Sequence, residues 1–285
     1  MDVLLHNRTS KRISQLINTN TQSILITGVV GSGKETIAYE IAQKLTGQSA
    51  KSNPQILLIK PENGVILIDS IRKISKFILL KTHGQKAIRR VIIIVDAERM
   101  KRDAQNMLLK TLEEPPSDTA IILTSSQPSL LIDTVKSRTA KVNAYPVSDL
   151  ELAEYLLNKG FREDIINQQI LITSGAIGLT ISLLEDSNEN EISQSIKLSK
   201  QILSEKMYDR LLRIEALTSD KQQLRSLINS MKIIFLSASR NSISNGNFAQ
   251  TELWVNRLGL ILELENAMKR NCNSKLLLTK LMLNI

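Results

Sequence analysis

The sequence predicts an α/β fold, with a parallel sheet in its first half and an all-helical second half. Three observations carry this expectation. Short apolar runs alternate with helix-patterned segments up to about residue 145. A glycine-rich turn, Gly28-Val-Val-Gly-Ser-Gly-Lys34, joins the first apolar run to the first helical segment. After Pro146 the strand signals fade and amphipathic periodicity takes over.

Taken in order, residues 23–27 (SILIT) form an apolar run that ends at Gly28. Residues 35–45 place Ile37, Ala38, Ile41, Ala42 and Leu45 at helical spacing, and Gly47 follows as a stop. Residues 56–59 (ILLI) read as a buried strand. Residues 69–80 put Ile71, Ile74 and Ile78 on one helical face, with Asp69 or Ser70 as the expected cap. The β-branched run 91–95 (VIIIV) suits a parallel strand covered on both faces. Asp103 is then expected to cap a helix carrying Met107, Leu108, Thr111 and Leu112, which Pro115-Pro116 ends. Residues 120–123 (AIIL) give another strand.

Beyond Pro146, three short helices are expected at 150–159, 163–173 and 179–184, separated by Gly160, Gly175 and Gly178. The polar stretch 186–190 is a hinge candidate. From Glu191 onward nearly everything reads as amphipathic helix, notably 197–217, 224–237 and 253–268, with a break near 241–247. The expected domains are 1–145, 146–188 and 189–285.

Composition narrows the function. The 285 residues are 42% hydrophobic and 23% charged, ordinary for a globular chain with a real core. No apolar run approaches the roughly 18 residues a membrane span needs. The start, MDVLLHNRTSKR, does not pattern as a secretory signal. One cysteine, Cys272, and two histidines, His6 and His83, cannot supply a structural zinc site, so no metal ligands are expected. A lone cysteine fits a reducing compartment, and a cytoplasmic location is expected. The net charge of +9 favours polyanionic or acidic partners. With only 3% aromatic residues, a base-stacking platform for single strands is not expected, and phosphate contacts should carry most of any affinity for DNA.

The turn Gly28–Lys34 is G-x-x-x-x-G-K between a strand and a helix. Gly28, Gly31, Ser32 and Gly33 would turn backbone N–H groups toward a phosphate, and Lys34 would reach the β- and γ-phosphates. The residue after Lys34 is Glu35, where a working loop carries the Ser or Thr hydroxyl that holds Mg²⁺. Thr36 comes one residue later, rotated by about 100° on the helix. Asp96 ends the 91–95 run, where an acid orients the metal shell. The next residue is Ala97, which has no proton-accepting group. Glu98 is one position off and is expected to point elsewhere.

Three stretches together resemble one family: VDAERM at 95–100, DAQNMLLKTLEEPP at 103–116 and TVKSRT at 134–139. The combination resembles the AAA+ clamp-loader subunits of bacterial DNA polymerase III. The motifs cover about residues 5–185 and the helical tail matches by architecture alone. The resemblance implies an AAA+ phosphate-loop domain with a parallel five-stranded sheet, a small helical lid and an all-α collar. Within the family the chain is more similar to delta-prime than to the gamma/tau motors, because Glu35 and Asp96-Ala97 replace motor residues. The four-cysteine zinc module of many members is absent.

The same resemblance implies that Arg138, in Ser137-Arg138-Thr139, is an arginine finger acting in trans, although Thr139 stands where the family has cysteine. It implies that Thr124 occupies a γ-phosphate sensor position, and that Gly178 stands where motors carry a second-sensor arginine. No cofactor is then expected to be required, and weak binding of ATP or ADP with Mg²⁺ at Lys34 is left open. The implied partners are gamma/tau and delta subunits, the sliding clamp and, through the assembled hetero-oligomer, primed DNA at the replication fork. Two other readings stay open. One is an active AAA+ ATPase, either a gamma/tau-like motor or a self-assembling protein, using Thr36 or Glu35 for magnesium and Glu98 as base. The other is a monomeric basic DNA-binding protein.

Overall fold

The structure, a computed structural model, describes residues 3–48, 53–82, 86–173, 176–184, 191–269 and 272–285. The expected hinge at 186–190, His83, and Gly175, one of the expected helix breaks, lie outside them. The described residues fall into two compact units. The first runs to Ser148 and includes Ala176–Gly178, and the second holds the other described residues from Asp149 on.

In the first unit, α1 (Asn7–Asn18) leads into β1 (Ser23–Thr27) and α2 (Lys34–Thr46). Then come β2 (Ile56–Ile59), α3 (Ile68–Ile78) and β3 (Arg90–Ile94). A 3-10 turn at Ala97–Arg99 precedes α4 (Arg102–Glu113), and β4 (Thr119–Ser125), α5 (Asp133–Ser137) and β5 (Ala140–Asn143) complete the unit. The five strands are parallel in the order β2-β3-β4-β1-β5. β1, β3 and β4 are buried along their whole length, as their apolar runs require.

The alternation of side chains divides each strand between two cores. Ile24, Ile26, Val91, Ile93 and Ile122 pack with Ile13 and Leu16 of α1 and Ile37 and Ile41 of α2. Leu25, Ile92, Ile94, Ile121 and Leu123 pack with Ile71 and Ile74 of α3, Leu108 and Leu112 of α4 and Val135 of α5. Helices therefore cover both faces of the sheet.

Two helix starts differ from expectation. α3 begins at Ile68, with Leu67 at its N-cap and no side-chain cap bond; Asp69, already inside the first turn, instead pairs with Arg72 at 2.6 Å. α4 likewise starts before Asp103, with Lys101 at the N-cap position. In both cases an acid placed inside the first turn still opposes the positive end of the helix dipole.

The second unit is helical. Three short helices, α6 (Asp149–Asn158), α7 (Glu163–Thr173) and α8 (Ile177–Leu184), come first, α8 beginning in residues grouped with the first unit. Then follow α9 (Glu191–Ser204), α10 (Met207–Leu212), α11 (Ile214–Ser219), α12 (Lys221–Ser244), α13 (Phe248–Lys269) and α14 (Ser274–Asn284). Leu227, Met231 and Phe235 of α12, Ile261 and Leu264 of α13 and Leu278 and Leu281 of α14 form its main core. No helix among the described residues is long and apolar enough to cross a membrane.

Candidate nucleotide site

Because all five strands are parallel, their C-terminal ends share one edge of the sheet, the usual place for a ligand in such folds. Thr27 lies beside Ser125 and Ile26 beside Thr124, so the exit of β1 into Gly28 adjoins Thr124. Gly31 and Gly33 carry φ of 79° and 77°, which lets the loop curl without a Cβ penalty. Gly28 is held to glycine by proximity: a Cβ there would lie 2.7 Å from Ser32 Oγ and 2.9 Å from the Ala144 carbonyl. Ser32 itself is buried, and its Oγ has no hydrogen-bond partner among the described residues.

Lys34 opens α2 and turns back onto the loop. Its Nζ donates to the carbonyls of Gly28 at 3.2 Å and Val29 at 2.9 Å. The side chain is buried, and burial pulls its pKa below the ordinary lysine value, while Asp96 and Glu98 push the other way. Glu35 is not loose near the loop. Its Oε1 lies 2.6 Å from Lys60 Nζ, beyond the end of β2, so its charge is answered within the chain. Thr36 is exposed on α2.

Asp96 follows β3 with φ of 49°, in the left-handed region that Asp tolerates better than most residues. Its N–H donates to Thr124 Oγ1 at 3.0 Å, so that hydroxyl already serves a backbone group. Burial raises the Asp96 pKa first, Glu98 adds to the rise, and Lys34 and Arg99 oppose it. Ala97 is fully buried in the core under α3 and α4. Glu98 turns toward the end of β4, where its Oε1 accepts from the Ser126 N–H at 2.9 Å. Its charge still acts on Lys34 and Asp96, and its Oε2 has no partner among the described residues. It is thus closer to the loop electrostatically than its offset position implies.

This donor set fits a phosphate, but at the position where the loop normally supplies a hydroxyl for magnesium it offers an ion-paired carboxylate. Among the described residues no cluster of three or more His, Cys, Asp or Glu forms a candidate metal site. Gly178 also lies against the loop: a Cβ there would meet the Gly31 carbonyl at 3.0 Å and Gly33 N at 3.1 Å, so the position admits no larger side chain without a shift.

Arg138 stands apart from this cluster, exposed at the C-terminal end of α5. One guanidinium nitrogen, Nη2, is 2.7 Å from Glu113 Oε1. The other, Nη1, donates to the Thr134 carbonyl at 3.1 Å and to Ser137 Oγ at 3.4 Å. Sequence reasoning did not assign roles to Lys60 or Glu113. The only sequence signals were a cation closing the ILLI run and an acid within LLKTLEEPP.

Comparison with known proteins agrees with the motifs. The profile of the family described as DNA polymerase III, delta subunit, matches residues 5–148. DNA polymerase III subunit delta' of Pseudomonas aeruginosa is 27% identical over 210 residues, covering 66% of this chain and 63% of its own length. A replication factor C small subunit of Haloarcula marismortui is 30% identical over 166 residues, covering 58% of this chain and 50% of its own. The chain therefore spans between half and two thirds of these relatives. A solved DNA polymerase III gamma subunit-related protein from Thermotoga maritima superposes with a TM-score of 0.54 at 22% identity, over 95% of this chain and 97% of its own, which speaks for the fold alone. With half of its length matched by that profile, the chain belongs to the DNA polymerase III delta-subunit family, within the clamp-loader group that its motifs resemble.

Proposed function

We propose that this chain is a non-hydrolysing, delta-prime-like subunit of a clamp loader, and that it presents Arg138 to ATP held by a neighbouring subunit. The observation that carries the proposal is Ala97. It is fully buried where a hydrolysing site needs a proton acceptor, and the acid beside it, Glu98, is bound through Oε1 to a backbone N–H. Glu35 bonded to Lys60 supports the same reading.

Arg138 has the opposite character. It is exposed, its ion pair is a surface one, and such pairs contribute about 0–1 kcal/mol. A γ-phosphate can draw the guanidinium away from such a partner. In the assembled hetero-oligomer Arg138 would offset the charge that develops on the transferred phosphoryl group, an effect of about 10³–10⁵ in rate where arginine fingers act. The gamma/tau and delta subunits, the sliding clamp and primed DNA are the partners this role calls for. Charge placement supports contact with DNA through the first unit. Residues 1–148 hold 21 Lys and Arg against 12 Asp and Glu, while residues 149–285 hold 16 of each, so the net +9 sits entirely in the first part.

Glu98 favours a second reading, an active ATPase, because its Oε2 has no partner among the described residues and its charge acts on Lys34. One experiment separates the two. ATP turnover is measured for the purified chain with Mg²⁺ and primed DNA, and then for a loader reconstituted with its motor subunits. The proposal expects no turnover alone and a loss of at least about tenfold in the loader with Arg138→Ala. Turnover by the chain alone that Lys34→Ala abolishes would make it a motor.

A further inference from the structure

Glu113 belongs to the LLKTLEEPP stretch, and neither the phosphate loop nor the proposed finger accounts for it. It is the last residue of α4. Glu114 leaves the helix at φ −130° and ψ 68°, and Pro115-Pro116 prevents any further turn, so the place of Glu113 is set by the backbone. Arg138 is likewise set by the end of a short helix, α5. Residues 25 apart in sequence thus meet at 2.7 Å between two helix termini.

We infer that Glu113 is the positioning residue of Arg138, an inference that rests on the finger reading given above. A free arginine has four rotatable side-chain bonds and loses that freedom when it meets a ligand. Here most of the ordering is already in place. Glu113 fixes Nη2, the Thr134 carbonyl fixes Nη1, and no hydrogen bond from Nε is found among the described residues. The guanidinium is held by one part of its donor fork while other donors stay available, which suits planar, multidentate recognition of a phosphate oxygen. The carboxylate is also exposed, so its pull on the guanidinium is weak and screened. It orients Arg138 without competing strongly against a triphosphate.

The test is steady-state ATP hydrolysis by the loader reconstituted with its motor subunits, the clamp and primed DNA. This chain is supplied as wild type, Glu113→Ala, Glu113→Gln, Arg138→Ala or the Glu113→Ala/Arg138→Ala double variant. Melting temperatures of the free variants are compared first; unchanged values are expected for an exposed pair. Glu113→Ala should lower kcat about two- to fivefold with KM unchanged, the range a half-exposed ion pair can supply. Glu113→Gln should move kcat in the same direction. The double variant should match Arg138→Ala alone, because Glu113 acts only through Arg138. If Glu113→Ala still lowers kcat in the Arg138→Ala background, or if it raises kcat or leaves it unchanged in the wild type, Glu113 does not position the finger. If Arg138→Ala leaves kcat unchanged, the finger reading itself falls, and the inference falls with it.

Discussion

Restoring the missing acid by Ala97→Glu should damage the fold rather than create an ATPase. Ala97 is fully buried, in the cluster that also holds Ile66, Met100, Ala104 and Leu108. A glutamate there must either bury an ion or take up a proton. From an unfolded-state pKa of about 4.3, protonation at pH 7 costs about 4 kcal/mol, at about 1.4 kcal/mol per pH unit. The four heavy atoms added beyond a buried Cβ add overpacking of about 1–3 kcal/mol. The total of about 5–7 kcal/mol is comparable with the whole stability of many domains. The sign of the pH dependence follows. An acid whose folded pKa is raised destabilises increasingly as pH climbs above its unfolded value, so at pH 5 the protonation part falls to about 1 kcal/mol. Urea unfolding at pH 7 and pH 5 reads both numbers, each against wild type. A loss below about 1 kcal/mol at pH 7, or a loss equal at the two pH values, would refute the packing argument.

Two further substitutions probe buried charges in the first unit. Asp118 accepts from Arg90 at 3.1 Å and from Thr82 and Thr119; burial alone would raise its pKa, but these bonds outweigh it and hold the carboxyl below the usual range. Its contribution is therefore present above an unfolded pKa of about 3.9 and lost as pH falls through the lower folded value. Asp118→Asn leaves Arg90 buried with an uncompensated charge and should cost about 3–5 kcal/mol at pH 7, with the gap to wild type narrowing below pH 4 in acid-unfolding curves. Asp96→Asn should do the reverse, because burial and Glu98 already raise the Asp96 pKa and the ionised form weakens the fold at pH 7. Asn accepts the left-handed backbone as well as Asp does, so the change isolates the charge. Its melting temperature should rise at pH 7, by a gain below about 2 kcal/mol, and a fall would show that Lys34 needs Asp96 more than burial disfavours it.

The parts of the fold legible in the sequence are those whose signal is local. β1, β2, β3 and β4 are continuous apolar runs, and each lies within one or two residues of its expected place. β5 is not read from its residues, because AKVN carries one fully buried side chain at the sheet edge and has no apolar run to find. α1 escapes for a related reason: in NRTSKRISQLIN only Thr9, Ile13 and Leu16 are buried. The stretch 197–217 reads as one amphipathic helix, yet the chain breaks it twice, between α9 and α10 and again at Arg213. Arg213 there grips Glu205 through both carboxylate oxygens at 2.8 and 2.5 Å, a pairing periodicity does not display. The same rule holds at the site. The loop, Asp96 and Arg138 are short motifs and can be read directly. Lys60 and Glu113 become visible only when sheet order and helix ends bring them to Glu35 and Arg138.

These two partnerships differ in what surrounds them. At the loop each departure from a hydrolysing pattern is absorbed into the unit: Glu35 is tied to Lys60, and Ala97 is core. Reversing one of them leaves the other in place, so single substitutions should not move the chain toward catalysis. Arg138 and Glu113 meet instead at an exposed junction of two helix ends, where exchange of one anion for another costs little. The proposed finger role asks for a group that is ordered yet releasable, and the surface pairing of Arg138 with Glu113 meets both demands.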